Sequence, residues 1–461
     1  MSSQTVSRAL ARFTHDLSFI DIPHDICERA KLLMLDGLGI ALAASGFPFA
    51  RSIWDGLVDL GGLGECSVIG MTGRLTARDA VVMNGALVHG LDFDDTHMSA
   101  VVHATAAALP TALVMAEKQD ASGREFLCAY LIGMEVAIRI GMAAQFGFHH
   151  RGLHATGVVG HFAAALIAGR LTELNEHGLV AAQGIVGSTC MASQEFVEDG
   201  AWNKRLHPGW AGVAGMTATA LAKSGFIAPS KPYEGRFGLF RSLLGVDDKE
   251  LDLSAITDGL GDVWQAGQSA VKPYPTCHFT HAVADAGLIL RARHHIAASQ
   301  IACIKARIPI ETIPVVAEPV SNKIKPASDY DAKFSVQFIV AAAIIKGRFG
   351  LAELEHEVLR DSTVLELAQK VECVADPDSR FPDFYPGGLQ ITMRDGTIHQ
   401  HYEAINRGAG DRALSKTDII DKFLANATLT IASDRANVIK DAVLHVDERP
   451  TRNLTAILSG N

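Results

Sequence analysis

Along most of the chain apolar residues recur at three- and four-residue spacing, the period of an amphipathic or buried helix. Residues 5–45 read as two helices, with Pro23 suited to a helix start and Gly46 and Pro48 ending the second. Another helix is expected over 51–59, a strand-like piece over 65–70, and a helix from Ala77 to about His89. From Ala104 to Leu221 the pattern is almost wholly helical. Within it Gly157, Gly160, Ala163, Ala164, Ala165, Ala168 and Gly169 are spaced to let helices approach closely. Helical patterns resume over 237–244 and 252–260.

Near residue 268 the texture changes. Residues 301–310 alternate with period two and predict a strand. Residues 371–376 and 388–400 predict further strands, the latter folding back at Arg394, Asp395 and Gly396. Helices are expected at 282–293, 334–345 and within 351–367, and again from Ser415 through Ile457. The expected fold is mainly α: a large discontinuous helical domain, 1–267 with 406–461, and a smaller α+β lid domain, 268–405.

One stretch breaks the apolar pattern. His89–His103, HGLDFDDTHMSAVVH, holds three histidines (His89, His97, His103), three aspartates (Asp92, Asp94, Asp95) and Thr96 between two apolar segments. Burying such an island is costly unless its groups satisfy one another or hold a ligand. The chain is therefore expected to bend here and line a cavity. Histidine titrates near neutral pH and serves as acid or base, and adjacent carboxylates tune it. One of the aspartates, or Thr96, is expected to cap a helix. The order Asp94-Asp95-Thr96-His97 fits no closed zinc pattern, and the sequence has no HExxH, so no metal is expected.

Three other segments carry candidate chemistry. His154, Thr156 and Gly157 stand just before an apolar helical run, and a helix N-terminus favours anions such as a carboxylate. Lys204, Arg205 and His207 are expected in a loop before a helix, where a Lys-Arg pair is ordinarily exposed. Lys272 and Tyr274 lie in a proline-stiffened loop at the expected domain boundary, followed by His278 and His281. Domain boundaries are favoured places for ligand sites.

Composition narrows the function. The 461 residues are 48% hydrophobic and 20% charged, which suits a large packed core. A formal net charge of −10 without a long Lys/Arg run argues against nucleic acid as a partner. No charge-free apolar run of about 18 residues occurs, so no membrane span is expected. Seven scattered cysteines without a CxxC suit a reducing cytoplasm and disfavour an iron–sulfur cluster. Nucleotide and serine-hydrolase signatures (GxGxxG, Walker A, GxSxG) are absent from the sequence.

Taken together the four segments resemble the MmgE/PrpD family. The resemblance rests on His89, Asp92, Phe93, Asp94, Asp95, Thr96 and His103, then His154, then Lys204, Leu206, His207, Gly209 and Ala211, then Lys272, Tyr274, Pro275, Thr280 and His281, in the same order. That family includes 2-methylcitrate dehydratase, cis-aconitate decarboxylase and iminodisuccinate epimerase. The resemblance implies a metal-independent, cofactor-free homodimer that acts on a small di- or tricarboxylate. It implies His103, Asp92, Lys272 and Lys204 as catalytic groups and Thr96, His154, His207 and Tyr274 as substrate-binding groups. In the expected mechanism His103 transfers the proton, oriented by Asp92. A dehydratase of the 2-methylcitrate type is the first expectation, with an epimerase or a decarboxylase as alternatives.

Overall fold

The computed structural model describes residues 5–246 and 252–460. The chain folds into two compact units. The first comprises residues 1–194, 203–269 and 415–461, the second 195–202 and 270–414. The unit boundaries thus fall at 269/270 and 414/415, and the short segment 195–202 goes with the second unit.

Counting helices of seven or more residues, the first unit holds α1 (Val6–Asp16), α2 (His24–Ala44), α3 (Pro48–Gly61), α4 (Ala77–His89), α5 (Ala104–Gln119), α6 (Gly123–Ala144), α7 (Ala155–Leu171), α8 (Glu176–Val186) and α9 (Asn203–Lys223). Local chemistry sets several starts. The side chains of Thr5, Thr76, Ser122 and Asn175 each accept a backbone N–H at the start of α1, α4, α6 and α8, satisfying a donor the helix itself leaves open. A two-stranded ribbon, β1 (Leu63–Ser67) and β2 (Arg74–Leu75), precedes α4. The expected helix over 252–260 is only one turn, Ser254–Thr257.

The core of this unit is helix on helix: α9 packs on α7 and α4, and α6 packs on α7 and α5. By length and composition α6 could cross a membrane, yet 94% of its apolar window is buried in this core. Its central Glu135 and Arg139 pair at 2.9 Å, and Arg139 donates to the carbonyls of Asp258 and Val263. So the long apolar run is a core helix whose buried charges are paired.

Two close approaches position the site. A Cβ on Gly209 of α9 would lie 2.5 Å from the Val82 carbonyl oxygen, and one on Gly85 of α4 would lie 2.5 Å from Gly209 Cα. Only glycine lets these backbones touch. Gly209→Ala is expected to force α9 off α4, destabilising the protein by about 1–3 kcal/mol. It should also lower activity more than Tm alone explains, because Lys204 and His207 ride on that turn. Thermal unfolding and steady-state kinetics on the same preparation check this.

The second unit contains α10 (His281–His294), α11 (Val336–Lys346) and α12 (Ser362–Ala368) with a four-stranded sheet. The strands β3 (Ile301–Ile308), β4 (Val371–Ala375), β5 (Gly387–Met393) and β6 (Ile398–Glu403) are ordered β4-β3-β5-β6. β4 runs parallel to β3; β5 and β6 are antiparallel neighbours. The β5–β6 hairpin turns through Arg394–Thr397, where the Met393 N–H donates to the Thr397 carbonyl and Gly396 has φ +88°. α10 lies on β5 and β6 and on α11. The chain then re-enters the first unit with α13 (Lys416–Ala427), α14 (Ser433–Leu444) and α15 (Thr451–Leu458). Ser415 and Asp418 form a capping box at the start of α13.

Candidate functional site

The polar island is the connection between α4 and α5, and it is almost wholly buried: His89, Asp92 and Asp94 are 0% exposed, Asp95 and Thr96 2%. It is also strained. Asp92 has φ +53° and Val101 φ +51°. A β-branched residue in the left-handed region is a genuine outlier, and such strain persists only where the surroundings over-determine it. Here they do. Residues 97–102 close a tight loop in which the His97 N–H donates to the Val102 carbonyl at 2.9 Å.

His103 is the N-cap residue of α5. Its backbone N–H donates to Thr156 Oγ1 at 3.0 Å, which ties the island to the start of α7. Its Nδ1 lies 2.9 Å from the Asp95 carbonyl oxygen and 3.2 Å from Thr96 Oγ1. A carbonyl only accepts, so Nδ1 carries the hydrogen and the basic lone pair of the neutral ring sits on Nε2. Orientation at Nδ1, expected from Asp92, is supplied by the Asp95 carbonyl and Thr96.

Asp92 instead accepts a hydrogen bond from Lys204 Nζ at 2.9 Å, with both side chains buried (0% and 5% exposed). Lys204, Arg205 and His207 are not in a loop. They lie in the first turns of α9, which begins at Asn203 and continues through Pro208. The proline removes one N–H from the ladder without ending the helix. Arg205 is buried, not a surface charge: its Nε donates to the Gly90 carbonyl at 2.8 Å, closing the end of α4, and its guanidinium lies 4.2 Å over the Phe49 ring.

Four histidine rings gather here. His89 donates through Nδ1 to Asp94 at 2.8 Å. Its ring centroid is 5.0 Å from that of His103, and it stacks on His154 at 5.4 Å. His154 is the N-cap residue of α7, and its Nδ1 lies 3.0 Å from Nδ1 of His207. One ring must donate and the other accept, so at least one of the two is neutral. Burial, reinforced by His207 and Lys204, holds His154 well below the usual imidazole range. Burial, with His89 and Lys204 adding to it, pushes His207 down to about 4. Both are therefore neutral near pH 7: one spends its N–H on the other, and the pair keeps a single N–H to donate outward. The N-termini of α5 and α7, the Lys204 ammonium and these rings form a concentration of donors suited to an anionic substrate. Among the described residues, no group of three or more His, Cys, Asp or Glu side chains is placed to hold a metal ion.

The first unit thus brings together Asp92, Thr96, His103, His154, Lys204 and His207. Lys272 and Tyr274 belong to the second unit. There Lys272 is fully buried, and the Tyr274 hydroxyl donates to Asp285, which also pairs with Arg407 and Arg412. His278 accepts from Asn406 at 2.8 Å in one amide orientation, and His281 donates to the Thr276 carbonyl at 3.2 Å. Sequence reasoning missed the Asp95 carbonyl as the partner of His103, and missed that Lys422 of α13 donates to the Phe93 carbonyl at 2.9 Å. The only sequence signal for either is the density of polar residues in the island.

The MmgE/PrpD N-terminal domain pattern matches residues 8–252, and the MmgE/PrpD C-terminal domain pattern matches 274–448. Curated relatives are similar over nearly their whole length. The cis-aconitate decarboxylase-like protein oryM of Aspergillus oryzae is 26% identical over 99% of this chain and 97% of its own. Cis-aconitate decarboxylase of Aspergillus terreus is 25% identical over 96% and 93%, and that of Mus musculus 26% over 100% and 94%. These relatives are enzymes of the lyase type. With both halves of the pattern matched in order across the chain, this protein belongs to the MmgE/PrpD family.

Proposed function

We propose that the protein is a lyase for a small di- or tricarboxylate, with His103 Nε2 moving the proton at a carbon next to a carboxylate. The observation that carries this reading is the fixed tautomer of His103 inside a buried shell of anion-holding donors. In a dehydration of the 2-methylcitrate type, Nε2 takes the proton from carbon. The electron pair delocalises into the adjacent carboxylate, then forms the C=C bond as the hydroxyl leaves, taking the proton back from the His103 imidazolium and departing as water. Lys204 and the helix N-termini stabilise the charge that develops on that carboxylate. The Asp92 carboxylate holds the lysine in place and cancels part of its charge while the site is empty. The neutral His154–His207 pair donates its one remaining N–H to a substrate oxygen without adding a cation.

A second reading is decarboxylation, favoured by the names of the relatives. There the bond between carbon and CO₂ breaks, the electron pair stays on carbon, and His103 as imidazolium delivers a proton from Nε2. Epimerisation would take the proton from carbon in the same way and return a proton to the opposite face of that carbon. All three reactions use the same groups, and pocket shape decides among them.

The test is to incubate the purified protein with 2-methylcitrate, citrate, cis-aconitate, iminodisuccinate and related acids in D₂O, following mass and proton spectra. Loss of water or of CO₂ selects the lyase branch. Deuterium entering an unchanged skeleton moves the reading to an epimerase, and no turnover of any acid defeats it. No metal or cofactor enters this proposal, so turnover is expected to stay within about twofold after EDTA treatment. A loss that added divalent metal restores would overturn that part. A cytoplasmic homodimer is also proposed, checked by light scattering and cell fractionation.

A further inference from the structure

The strained Asp92–Asp95 segment is held from behind by the C-terminal part of the chain. α13 docks on α2 so closely that a Cβ on Gly39 would lie 2.8 Å from the Phe423 ring and 3.1 Å from Phe423 Cα. That approach sets the neighbouring Lys422 beside Asp36, one turn before Gly39 on the same face of α2. Lys422 Nζ lies 2.7 Å from Asp36 Oδ1 and donates to the Phe93 carbonyl at 2.9 Å. The ammonium also sits 3.8 Å from the centroid of the Phe93 ring. The lysine side chain is 9% exposed and Asp36 2%.

We propose that Lys422 is a positioning residue for the site, acting through the Phe93 carbonyl. The carbonyl stands between the two aspartates that the site uses in opposite ways: Asp92 reaches Lys204, and Asp94 reaches His89. Fixing the peptide plane between them fixes both directions at once. It also supplies part of the over-determination that a left-handed Asp92 needs. Asp36, 2.7 Å away, keeps the ammonium aimed. The ring of Phe93 shields the other side. The ion pair alone is structural. The bond to the carbonyl links it to the reacting groups.

The inference rests on the proposed lyase reading for its kinetic arm only. Lys422→Met keeps the length of the side chain and removes the donor. It is expected to lower kcat by about 10- to 100-fold with KM within about threefold, the scale of loss from slight misplacement of reacting groups. Hydrogen exchange of the amides of residues 91–97 should rise by at least about tenfold. The second variant, Asp36→Asn with Lys422→Met, removes the buried carboxylate that the first leaves alone. Its Tm should recover toward wild type, while kcat and the amide exchange stay as in the single variant.

Recovery of both kcat and exchange protection in the double variant would reduce Lys422 to a structural ion pair and overturn the proposal. So would a single variant with wild-type kcat and exchange. If the wild-type protein turns over none of the acids, the lyase reading falls, and the exchange measurement still decides the role of Lys422.

Discussion

Replacing His103 by asparagine is expected to lower kcat by at least about 10²-fold, and by up to about 10⁴-fold, the range a positioned acid–base group contributes. Asparagine is the informative choice. Its amide N–H can still donate to the Asp95 carbonyl, which orients the native ring at 2.9 Å. The loop keeps its anchor, the backbone bond from residue 103 to Thr156 is untouched, and the only loss is the titrating nitrogen. Substrate affinity, measured by calorimetry, should therefore stay within about threefold, because the anion-holding donors are Lys204, His154, His207 and the helix starts. His103→Ala should lose the same rate and also loosen the loop, visible as a lower Tm. If turnover in either variant stays within about threefold of wild type, His103 is not the proton-transfer group. The next candidate would then be His89, whose ring is 5.0 Å away and already paired with Asp94.

What the sequence made legible was local. α4 runs from Ala77 to His89 as its apolar spacing predicts, and the small-residue run at Gly157–Gly169 forms part of a tightly packed helix. The β5–β6 hairpin folds at Arg394–Gly396 because a turn residue sits between two alternating runs. The island was legible as a polar cluster because three aspartates and three histidines between apolar segments need partners. What stayed illegible was the identity of those partners. Taken alone, the Lys204–Arg205 pair suits surface charge, yet both are buried, because α9 crosses α4 at two facing glycines and brings them over the end of that helix. The segment expected as a loop before a helix is the start of α9 itself, with Pro208 carried inside it. Main-chain partners such as the carbonyls of Asp95 and Phe93 have no residue-type signature. Lys422 lies over 300 positions from the loop it holds, and no spacing rule reaches that far.

The same crowding of carboxylates makes stability depend on pH through Asp95. Its carboxyl is pushed up from 3.8 to about 7, first by burial, with Asp94 and Asp36 adding to the rise and Thr105 and Arg29 opposing it. The folded state therefore holds a proton that the unfolded chain releases near 3.8. Below that value the site makes no demand. As pH rises from about 4 to about 7 the unfolded state is increasingly favoured, and above about 7 the penalty levels off. Roughly three pH units at about 1.4 kcal/mol each put the full effect on the order of 4 kcal/mol. Buried and half-buried histidines work the other way. His97 and His207 are held down to about 4 and His149 to about 3, mainly by burial, so their contribution is present above about 6.5 and lost on acidification. The two trends overlap in the wild-type profile, and a single substitution separates them. Asp95→Asn removes the carboxyl and keeps the backbone carbonyl that holds His103. The stability of the variant minus that of wild type, from denaturant unfolding at each pH, should rise by about 4 kcal/mol between pH 4 and pH 8. A constant offset from the amide, about 1–3 kcal/mol if it lacks a partner, leaves that slope unchanged. A flat difference would mean that Asp95 is ionised throughout, held as a carboxylate by Arg29 and Thr105. In that case the strain at Asp92 and Val101 would be balanced against a buried charge, and not against a neutral acid.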